Sequence, residues 1–451
     1  MTDGDMAAPA DDAQGVASRL TAVMALLQIH QQAAWASPVL DRVLTAGDLD
    51  ARDRSFTANL VFSTLRFEGT LDWILSQLVS RGLEQVESEL LDLLRLGTWE
   101  LRYGGTPTHA AVNAWVEVAR QIVGQRATGF VNGVLRNVAR RAEQLPWPDP
   151  TTDEGMGLQL GYPAWLVSSA RQRFGDQRLH AVLEAGNIPA PLVLRAVAPR
   201  EQVISALAAD GIESQEGKLS RHAVVLTQRH VPSDLGVIRR GEAVVQDQSS
   251  QVISLAAADG LPAGASAIDL CAAPGGKATH LAQLGLKVMA VDRHAGRLRR
   301  SAEMAQRLGL PLDTLVADGT QTGLPAGQAD LVLVDAPCSG LGVVRRRPEL
   351  RWRKTPQDIS AMGQVQRALV DAAVSLVRPG GRVAYSVCTW TTQETDLVIT
   401  DVLAGGRVSL LPSPDLGSPT ATGMQLSPDR HEGDGMFLAM IKRKEVSADG
   451  W

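Results

Sequence analysis

Three cysteines are the residues of this 451-residue chain with the clearest chemical potential. Cys271 lies in the run DLCAAPGGK, Cys338 in DAPCS and Cys388 in YSVCT. A cysteine thiolate is a strong nucleophile, and scarce thiols among Asp, Pro, Gly and Ser predict an active site. The alternative is a small buried packing residue, which is the usual role of a free cysteine. That alternative does not account for the polar and turn-forming neighbours of Cys271 and Cys338.

Composition sets the broad class of the protein. Apolar residues make up 45% of the chain and charged residues 21%, which predicts a globular protein of several domains. No stretch approaches the roughly 20 apolar residues of a membrane helix, and the acidic residues 1–12 lack the features of a signal peptide. We therefore expect a cytoplasmic protein with no membrane partner. Three cysteines without paired spacing, and no Cys/His cluster, predict reduced thiols and no bound metal.

A basic run is the main candidate for nucleic-acid contact. The net charge of −5 does not by itself indicate a nucleic-acid-binding protein, because phosphate contacts need Lys and Arg. The run RRRPELRWRK, however, carries six positive charges against one Glu and follows the DAPCS run closely. Such runs are commonly solvated surface, which is the alternative here. The candidate RNA-binding residues are Arg345, Arg346, Arg347, Arg351, Arg353 and Lys354.

The chain divides into segments of different periodicity. Helical spacing of apolar residues up to about residue 145 predicts an all-helical bundle. The Pro- and Asp-rich run LPWPDPTTDEG predicts a linker, and short apolar strands at 192–197 and 223–226 among helices predict a small α+β module. The expected boundaries are a disordered tail at 1–14, the bundle at 15–145, the linker at 146–159, the module at 160–240, a catalytic domain at 241–445 and a tail at 446–451.

From about residue 241, short apolar strands alternate with helical stretches. This rhythm predicts a doubly wound, parallel α/β sheet with ligands at the carboxyl ends of its strands. Asp292, Asp318 and Asp335 each terminate an expected strand, and acids at that rim fit a nucleoside-bearing cofactor. Each could instead be a helix N-cap, above all Asp318, which precedes a glycine. The expected strands are 267–270, 288–291, 314–316, 331–334 and 383–386.

The turn after the first of these strands is a candidate cofactor loop. Gly275 and Gly276 allow the backbone to approach a ligand closely, and the helix that begins near Lys277 offers free N–H groups. The loop lacks the G-x-G-x-x-G of dinucleotide-binding proteins and the G-K-[ST] of a P-loop, so pyrophosphate is not the expected ligand. A tight strand-to-helix turn without a ligand is the alternative.

Together, the runs DLCAAPGGK, VDRH, ADG, DAPCSGLGVVRRRPELRW and YSVCT resemble, in order and spacing, the motifs of the S-adenosylmethionine-dependent RNA methyltransferases that make 5-methylcytosine. The resemblance covers about residues 241–445 and implies a Rossmann-like class I methyltransferase domain that binds S-adenosyl-L-methionine. The cofactor-binding residues that it implies are Cys271, Ala272, Ala273, Pro274, Gly275, Gly276, Lys277, Asp292, Asp318 and Asp335.

Methylation of cytosine at carbon 5 needs an activated thiol, because adding a thiolate to carbon 6 makes carbon 5 nucleophilic. Spacing alone does not decide between Cys338 and Cys388. The resemblance makes Cys388 the nucleophile and Cys338 the residue that assists product release. The chemistry also needs an acid near cytosine N3, for which the chain offers Asp335. A Cys338–Cys388 disulfide is the alternative reason for the pair, and a reducing cytoplasm disfavours it. The sequence departs from the family at Val387, where Thr is usual, and at Arg347, where His or Asn is common.

The helical front has a looser resemblance. Residues 51–56, 107–113 and 130–136 are similar to the NusB-type RNA-binding bundle, with Gly133 where Ala is usual. In this methyltransferase family such a front marks the bacterial small-subunit rRNA enzymes of the Sun/Fmu/RsmB type. This implies 16S rRNA as substrate, free or in an early assembly particle, and we expect a monomer. The alternatives are a related enzyme acting on tRNA or another RNA, and a non-catalytic RNA-binding assembly factor.

Overall fold

The computed structural model describes residues 10–228 and 230–445, with side chains described from Gly15 onward. It forms two compact units. The first comprises the described residues up to Ser169 together with Arg347–Arg353, and the second comprises the other described residues. In the described segments, no helix is long and apolar enough to cross a membrane.

The helices, in chain order, are α1 (Ala10–Gln31), α2 (Ala36–Ala46), α3 (Ala51–Leu78), α4 (Ser88–Tyr103), α5 (Thr108–Ile122), α6 (Gln125–Arg141), α7 (Asp153–Leu160), α8 (Ala164–Phe174), α9 (Asp176–Ala185), α10 (Arg200–Ala209), α11 (Gly236–Arg239), α12 (Gln248–Ala258), α13 (Gly276–Gln283), α14 (Ala295–Arg307), α15 (Leu350–Arg353), α16 (Pro356–Leu376), α17 (Asp396–Ala404) and α18 (Pro428–His431). The strands are β1 (Val193–Ala196), β2 (Ser214–Glu216), β3 (Ala223–Leu226), β4 (Ala243–Val245), β5 (Ser266–Asp269), β6 (Lys287–Asp292), β7 (Asp313–Val316), β8 (Ala329–Asp335), β9 (Val377–Val387), β10 (Val408–Leu410), β11 (Ser418–Pro419), β12 (Met424–Leu426) and β13 (Met436–Arg443).

Helices α1–α6 form the predicted bundle around one hydrophobic core. A polar contact lies inside it: Glu100 is fully buried, pairs with Arg19 and accepts a 2.8 Å hydrogen bond from the indole of Trp115. Helix α1 begins at Ala10, so residues 10–14 of the predicted disordered tail are helical. Residues 1–9 and the predicted tail at 446–451 lie outside the described residues.

The predicted linker at 146–159 contains most of helix α7. The Thr152 side chain caps this helix by accepting from the amide of Gly155 at 3.0 Å. The backbone is crowded at two glycines of this helix: a Cβ on Gly155 would lie 2.0 Å from the carbonyl oxygen of Asp149, and one on Gly157 would lie 2.4 Å from that of Tyr162. The segment is therefore packed rather than extended.

The small module is a four-stranded sheet in the order β2-β3-β1-β4. Its core is formed by the inward faces of β1 and β3 together with α10 and α11. The predicted strands at 192–197 and 223–226 correspond to β1 and β3. Strand β4, placed by the sequence in the catalytic domain that begins at 241, pairs with β1 and completes this small sheet.

The large sheet has the order β11-β12-β13-β9-β8-β5-β6-β7, with β10 paired to β13. Strands β5 to β9 are the parallel set expected from the sequence, and they pair side by side in parallel. Strand β13 runs antiparallel to β9, which makes the sheet mixed rather than purely parallel. The predicted fold class, a helical bundle, a small α+β module and an α/β sheet, is confirmed.

Candidate active site

The parallel strands bring the predicted site residues to one edge of the sheet. Strand β5 ends at Asp269, β6 at Asp292, β8 at Asp335 and β9 at Val387. Asp335 of β8 is in register with Ser386 of β9. The two cysteine motifs that follow these strands therefore begin side by side, at the edge where such sheets bind ligands.

The cofactor loop after β5 folds back onto β6 and α14. The amide of Ala272 donates to the carbonyl of Val291 at 3.0 Å, and the Ala273–Pro274 peptide is cis. Gly275 has a φ of +103°, a conformation that side chains disfavour, and a Cβ there would lie 2.8 Å from the Cβ of Ser301. Glycine is required at this position by both its dihedral angle and its neighbour.

The acids after β6 and β7 differ in their surroundings. Asp292 is buried, and its two carboxylate oxygens accept from the amides of Ala273 at 3.2 Å and His294 at 2.8 Å, so it fastens the cofactor loop. Asp318 is exposed and accepts from the amide and hydroxyl of Thr320, which together lower the pKa of Asp318. Because a turn rather than a helix follows Asp318, it is not the helix N-cap of the alternative; it caps this turn instead.

These residues fit a nucleoside-bearing cofactor such as S-adenosylmethionine. The first N–H groups of α13 have no acceptor within the helix and are available to a ligand at the turn. Carboxylates at Asp292 and Asp318 offer acceptors for ribose hydroxyls.

Lys277 and Asp335 form an ion pair beside this loop. The ammonium of Lys277 donates to Asp335 at 2.7 Å, and the hydroxyl of Ser386 donates to the other Asp335 oxygen at 3.2 Å. Burial opposes the charge on Lys277, but Asp335 outweighs it, with smaller contributions from Cys388 and Asp269, so the pKa of Lys277 is raised. Lys277 therefore stays charged and directed at Asp335.

Cys271 and Asp269 lie beneath the loop. Burial, then the charges of Asp335 and Asp292, raise the pKa of Asp269 to about 7, and one of its oxygens has no hydrogen-bond partner. Burial and the same carboxylates raise the pKa of Cys271, which suits a packing residue better than a nucleophile, because the thiolate is the reactive form.

The thiols of Cys338 and Cys388 are in contact with each other. The Sγ atoms of Cys338 and Cys388 lie 3.3 Å apart, and both cysteines are free. The hydrogen bond with Cys388, followed by burial, raises the pKa of Cys338 well above its usual range. The structure thus brings together the two cysteines between which spacing could not decide, and it keeps Cys338 protonated.

Sequence reasoning missed Glu394, which is fully buried behind the two thiols. One of its oxygens accepts from the amide of Ser339 at 2.7 Å and from Gln366 at 3.1 Å. The other accepts from the hydroxyls of Ser339 at 2.6 Å and Thr391 at 2.8 Å. A Glu six residues after a candidate nucleophile was the signal in the sequence, but Ser339 and Gln366, two of its partners, lie far away along the chain.

Two arginines of the basic run serve the large unit. Arg346 bridges Asp247 and Asp434 at 2.8 Å each, and Arg345 donates to the backbone carbonyls of Ile188 and Gly433. Arg345 is 8% exposed. Their guanidinium groups are committed to contacts within the chain.

The rest of the run belongs largely to the helical unit. Arg351 is 0% exposed, lies 3.8 Å from the ring centroid of Tyr162 and donates to the carbonyl of Gly161. Arg353 donates to carbonyls that include Ile29. Arg347 is exposed and Lys354 is half-buried, and these two keep the accessibility that an RNA contact needs. RNA contact by the six residues stays a prediction. Among the described residues, no cluster of His, Cys, Asp and Glu could hold a metal ion.

Comparison with known families assigns all three parts of the chain. Residues 16–140 match the NusB family, residues 162–232 match a ferredoxin-like domain described as RsmF/B-like, and residues 261–442 match the family described as 16S rRNA methyltransferase RsmB/F.

Curated relatives match nearly the whole chain. A putative methyltransferase of Mycobacterium tuberculosis is 37% identical, covering 94% of this chain and 96% of the relative. The probable ribosomal RNA small subunit methyltransferase B of Bacillus subtilis is 31% identical over 84% of this chain and 86% of its own length. The Cronobacter sakazakii ribosomal RNA small subunit methyltransferase B is 32% identical, covering 87% and 91%.

Solved structures share the fold. The crystal structure of PH0851 covers 98% of this chain and 100% of that chain with a TM-score of 0.81 at 23% identity. A methyltransferase homologue from Pyrococcus horikoshii covers 64% of this chain and 97% of its own, with a TM-score of 0.56 at 26% identity.

Proposed function

This chain belongs to the RsmB/F family of rRNA methyltransferases, and we propose that it methylates carbon 5 of a cytosine in 16S rRNA through a covalent intermediate on Cys388. The observation that carries the proposal is the 3.3 Å approach of the Cys338 and Cys388 Sγ atoms, at the sheet edge that also holds the glycine loop.

S-adenosylmethionine would be held by the 271–277 loop with Asp292 and Asp318, and it supplies an electrophilic methyl group. The residues of the chain provide the rest. Cys388, as the thiolate, adds to carbon 6 of the cytosine, so that carbon 5 becomes nucleophilic. The target base must leave its stack to reach this edge, as bases do in other enzymes that modify them.

The Lys277–Asp335 pair is placed to manage the charge on the ring. When sulfur bonds to carbon 6, electron density moves to N3, and Asp335 is the acid that we assign there. Since Asp335 is an ion-paired carboxylate that accepts from Lys277 at 2.7 Å, the proton for N3 comes from the Lys277 ammonium and passes through Asp335, which leaves Lys277 neutral until it is protonated again. Lys277 also lies close enough to Cys388 for the sulfur's charge to contribute to the raised pKa of Lys277.

Cys338 completes the cycle in this proposal. After methyl transfer, the proton at carbon 5 must leave, and the Cys388–carbon 6 bond must break to restore the aromatic ring. Cys338 is 3.3 Å from the Cys388 sulfur, and we assign it to this release step: its thiol hydrogen-bonds the Cys388 thiolate as that sulfur leaves carbon 6, while solvent takes the proton from carbon 5.

Two alanine variants test the assignment. Cys388→Ala should abolish methyl transfer to 16S rRNA, whereas Cys338→Ala should leave enzyme covalently trapped on RNA, visible as a slower band in denaturing gels. A covalent RNA adduct formed by Cys388→Ala would overturn the assignment of the nucleophile.

The substrate is tested separately. Mapping 5-methylcytosine in rRNA and tRNA from cells with and without this gene should show one missing site in 16S rRNA. Loss of a tRNA site instead would favour the related enzyme class. Binding of labelled S-adenosylmethionine without transfer to any cellular RNA would favour a non-catalytic assembly factor. Free 16S rRNA and early small-subunit particles, offered side by side to the monomer that we expect, should identify the preferred substrate.

A further inference from the structure

Helix α14 presents an arginine-rich face that the proposed function does not yet use. Between residues 293 and 307 the sequence has five arginines and one Glu, in a chain whose net charge is −5. All five arginines are exposed. They are Arg293, just before the helix, and Arg297, Arg299, Arg300 and Arg307 within it, and we call this set the α14 face.

The side chains of the α14 face are largely free to bind a ligand. Among the described residues, Arg297, Arg300 and Arg307 make no side-chain hydrogen bond or ion pair, and Arg299 reaches Glu303 only at 3.5 Å with both side chains exposed. The first part of the face lines an open concavity of about 660 Å³. This contrasts with the 345–353 run, where most guanidinium groups are already bound within the chain.

The position of α14 ties this face to the reaction. The opposite side of the helix is buried through Leu298, Ser301 and Ala305, and Ser301 packs against Gly275 of the cofactor loop. Because β6 ends at Asp292, the first turn of α14 lies at the same sheet edge as the two thiols. A polynucleotide that delivers a base to this edge brings its neighbouring phosphates with it.

We propose that the α14 face binds the phosphate backbone of the RNA substrate next to the target cytosine. Phosphate contacts position a nucleic acid without reading its sequence, and arginine suits them because its planar group donates two hydrogen bonds at once. The proposal rests on RNA being the substrate, as put forward above.

The salt dependence of binding tests this surface. Affinity falls as salt rises, and each lost phosphate contact makes the slope of log affinity against log salt shallower by about 0.7 to 0.9. The double variant Arg297→Gln/Arg300→Gln should therefore have a slope that is shallower by about 1.4 to 1.8. The measurement is fluorescence anisotropy of a labelled 16S rRNA transcript with the full chain over a series of KCl concentrations.

The matched control removes two arginines from the opposite end of the sheet. Arg378 and Arg407 are about half exposed and pair with Asp330 and Asp371. Arg378→Gln/Arg407→Gln changes the net charge equally and should leave the slope at the wild-type value. Labelled S-adenosylmethionine should bind both double variants equally.

Equal slopes for the two double variants would overturn the proposal, even if both enzymes methylate 16S rRNA. An enzyme that methylates only another RNA, yet shows the expected slope loss with that RNA, would remove the 16S assignment and leave the surface in place. Loss of S-adenosylmethionine binding by the α14 variant would also count against the proposal, because it would show a damaged cofactor loop.

A second inference concerns Glu394, and it rests on independent observations. A fully buried carboxylate is costly unless hydrogen-bonded, and Glu394 accepts four hydrogen bonds from three side chains and one amide. Ser339 adjoins Cys338, and Thr391 follows Cys388 by three residues. The hydroxyls of Ser339 and Thr389 also lie 3.0 Å apart.

We propose that Glu394 is a positioning residue that holds the two cysteine loops in register. It contacts neither thiol directly, and it acts through Ser339 and Thr391. The hydroxyl of Tyr385 donates a 2.6 Å hydrogen bond to the backbone carbonyl of Glu394, so Glu394 is itself fixed to strand β9. Such fixation matters because a misplacement of about 1 Å can lower a rate about 100-fold.

The rate of disulfide formation in the isolated protein tests how Glu394 positions Cys338 and Cys388, without any substrate. Diamide takes two electrons and two protons from a pair of close thiols to form a disulfide and the reduced hydrazide. Cys338 and Cys388 should cross-link quickly in the wild type and at least several-fold more slowly in Glu394→Ala. Glu394→Gln should lie closer to the wild type, because its carbonyl can accept from the two N–H donors while the hydroxyls turn to accept from its amide.

Kinetics provide the second readout. Glu394→Ala should lower kcat about 10- to 100-fold with little change in KM for S-adenosylmethionine. If Glu394→Ala does not fold, Thr391→Val removes one donor and should show the same pattern with a smaller change. Wild-type cross-linking in a folded Glu394→Ala or Thr391→Val protein would overturn the proposal.

Discussion

The Sγ atoms of Cys338 and Cys388 lie 3.3 Å apart although the two residues are 50 positions apart in sequence. Their strands, β8 and β9, are parallel neighbours, with Asp335 in register with Ser386. Cys338 lies just after β8 and Cys388 just after β9, so the pairing of these two strands brings the two sulfur atoms together.

This contact predicts how Cys338 titrates. The hydrogen bond with Cys388 is the largest cause of its raised pKa, so Cys388→Ala should lower the Cys338 pKa toward its ordinary value. The rate of Cys338 alkylation by iodoacetamide, followed by mass spectrometry, should then rise at lower pH than in the wild type. Cys271, whose pKa is raised mainly by burial, should keep its own profile in both proteins. An unchanged Cys338 profile would contradict the prediction.

Gly275 in the cofactor loop and Gly133 in helix α6 provide a test variant and its matched control. Gly275→Ala places a Cβ at a φ of +103° and 2.8 Å from Ser301, so it should cost about 1–3 kcal/mol of stability and weaken S-adenosylmethionine binding. Gly133→Ala meets nothing within 4 Å in helix α6, and should stabilise by about 0.5–1 kcal/mol with unchanged cofactor binding. Urea unfolding and calorimetric titration measure both. Tight cofactor binding by Gly275→Ala would contradict this account of the loop.

The elements that the sequence predicted well are those whose signal is local. The strand ends at Asp269, Asp292 and Asp335 follow apolar runs bounded by turn residues, and the cofactor loop is a continuous motif. Helix α7 was missed because its first residues belong to the Pro- and Asp-rich run that predicts a linker. The close backbone neighbours of Gly155 and Gly157 are likewise invisible in the local sequence.

The features that escaped prediction depend on contacts between distant residues. Arg351 looked like a surface charge, but its acceptor is the carbonyl of Gly161, 190 residues away. Glu394 owes its role to Ser339, 55 residues away. Strand β13 lies far from β9 in the sequence, and the two strands pair in antiparallel orientation. No window of local sequence contains such pairings.

Arg351 and Arg347 separate a structural role from RNA contact. Arg351→Met removes a buried cation over the Tyr162 ring, and should destabilise the helical unit by about 2 kcal/mol. The exposed Arg347, mutated to Met, should change stability by less than about 0.5 kcal/mol. Urea unfolding and RNA anisotropy should be measured on both. Loss of RNA affinity in Arg351→Met at unchanged stability would return this residue to the RNA-binding surface.

Asp269 predicts a pH dependence of stability. Its pKa of about 7 in the folded protein lies above the value of about 3.9 in unfolded chains, so the folded state holds the extra proton. Stability should therefore fall as the pH rises from about 4 to about 7. Asp269→Asn removes this loss and should raise stability at pH 8 by up to about 4 kcal/mol, with little effect at pH 4.

Asp330 gives the control of opposite sign. Arg378 and Ser266 lower its pKa, so its contribution is present at neutral pH and is lost as the pH falls. Asp330→Asn should therefore lower stability at pH 8 slightly. Unfolding by urea at a series of pH values compares the two variants. A gain from Asp269→Asn that is the same at pH 4 and pH 8 would contradict the assigned cause.

The Arg346 bridge provides the last prediction. Arg346 lies 2.8 Å from both Asp247 and Asp434, and both carboxylates are buried. Burial and the charge of Asp247 already raise the pKa of Asp434 to about 6, even with Arg346 present. Arg346→Met leaves the two carboxylates uncompensated, which should cost about 3–5 kcal/mol at pH 8.

Acid should partly restore this variant. Without Arg346 the Asp434 pKa rises further, so near pH 5 Asp434 is protonated in the folded state and donates a hydrogen bond instead of repelling Asp247. The free energy of unfolding of Arg346→Met should therefore approach that of the wild type as the pH falls from 8 to 5. Urea unfolding at each pH measures this difference. Arg378→Met, which removes an exposed partner of Asp330, should show only a small deficit throughout. An Arg346→Met deficit that is constant across this range would show that lost packing, rather than two adjacent buried charges, limits the stability of the variant.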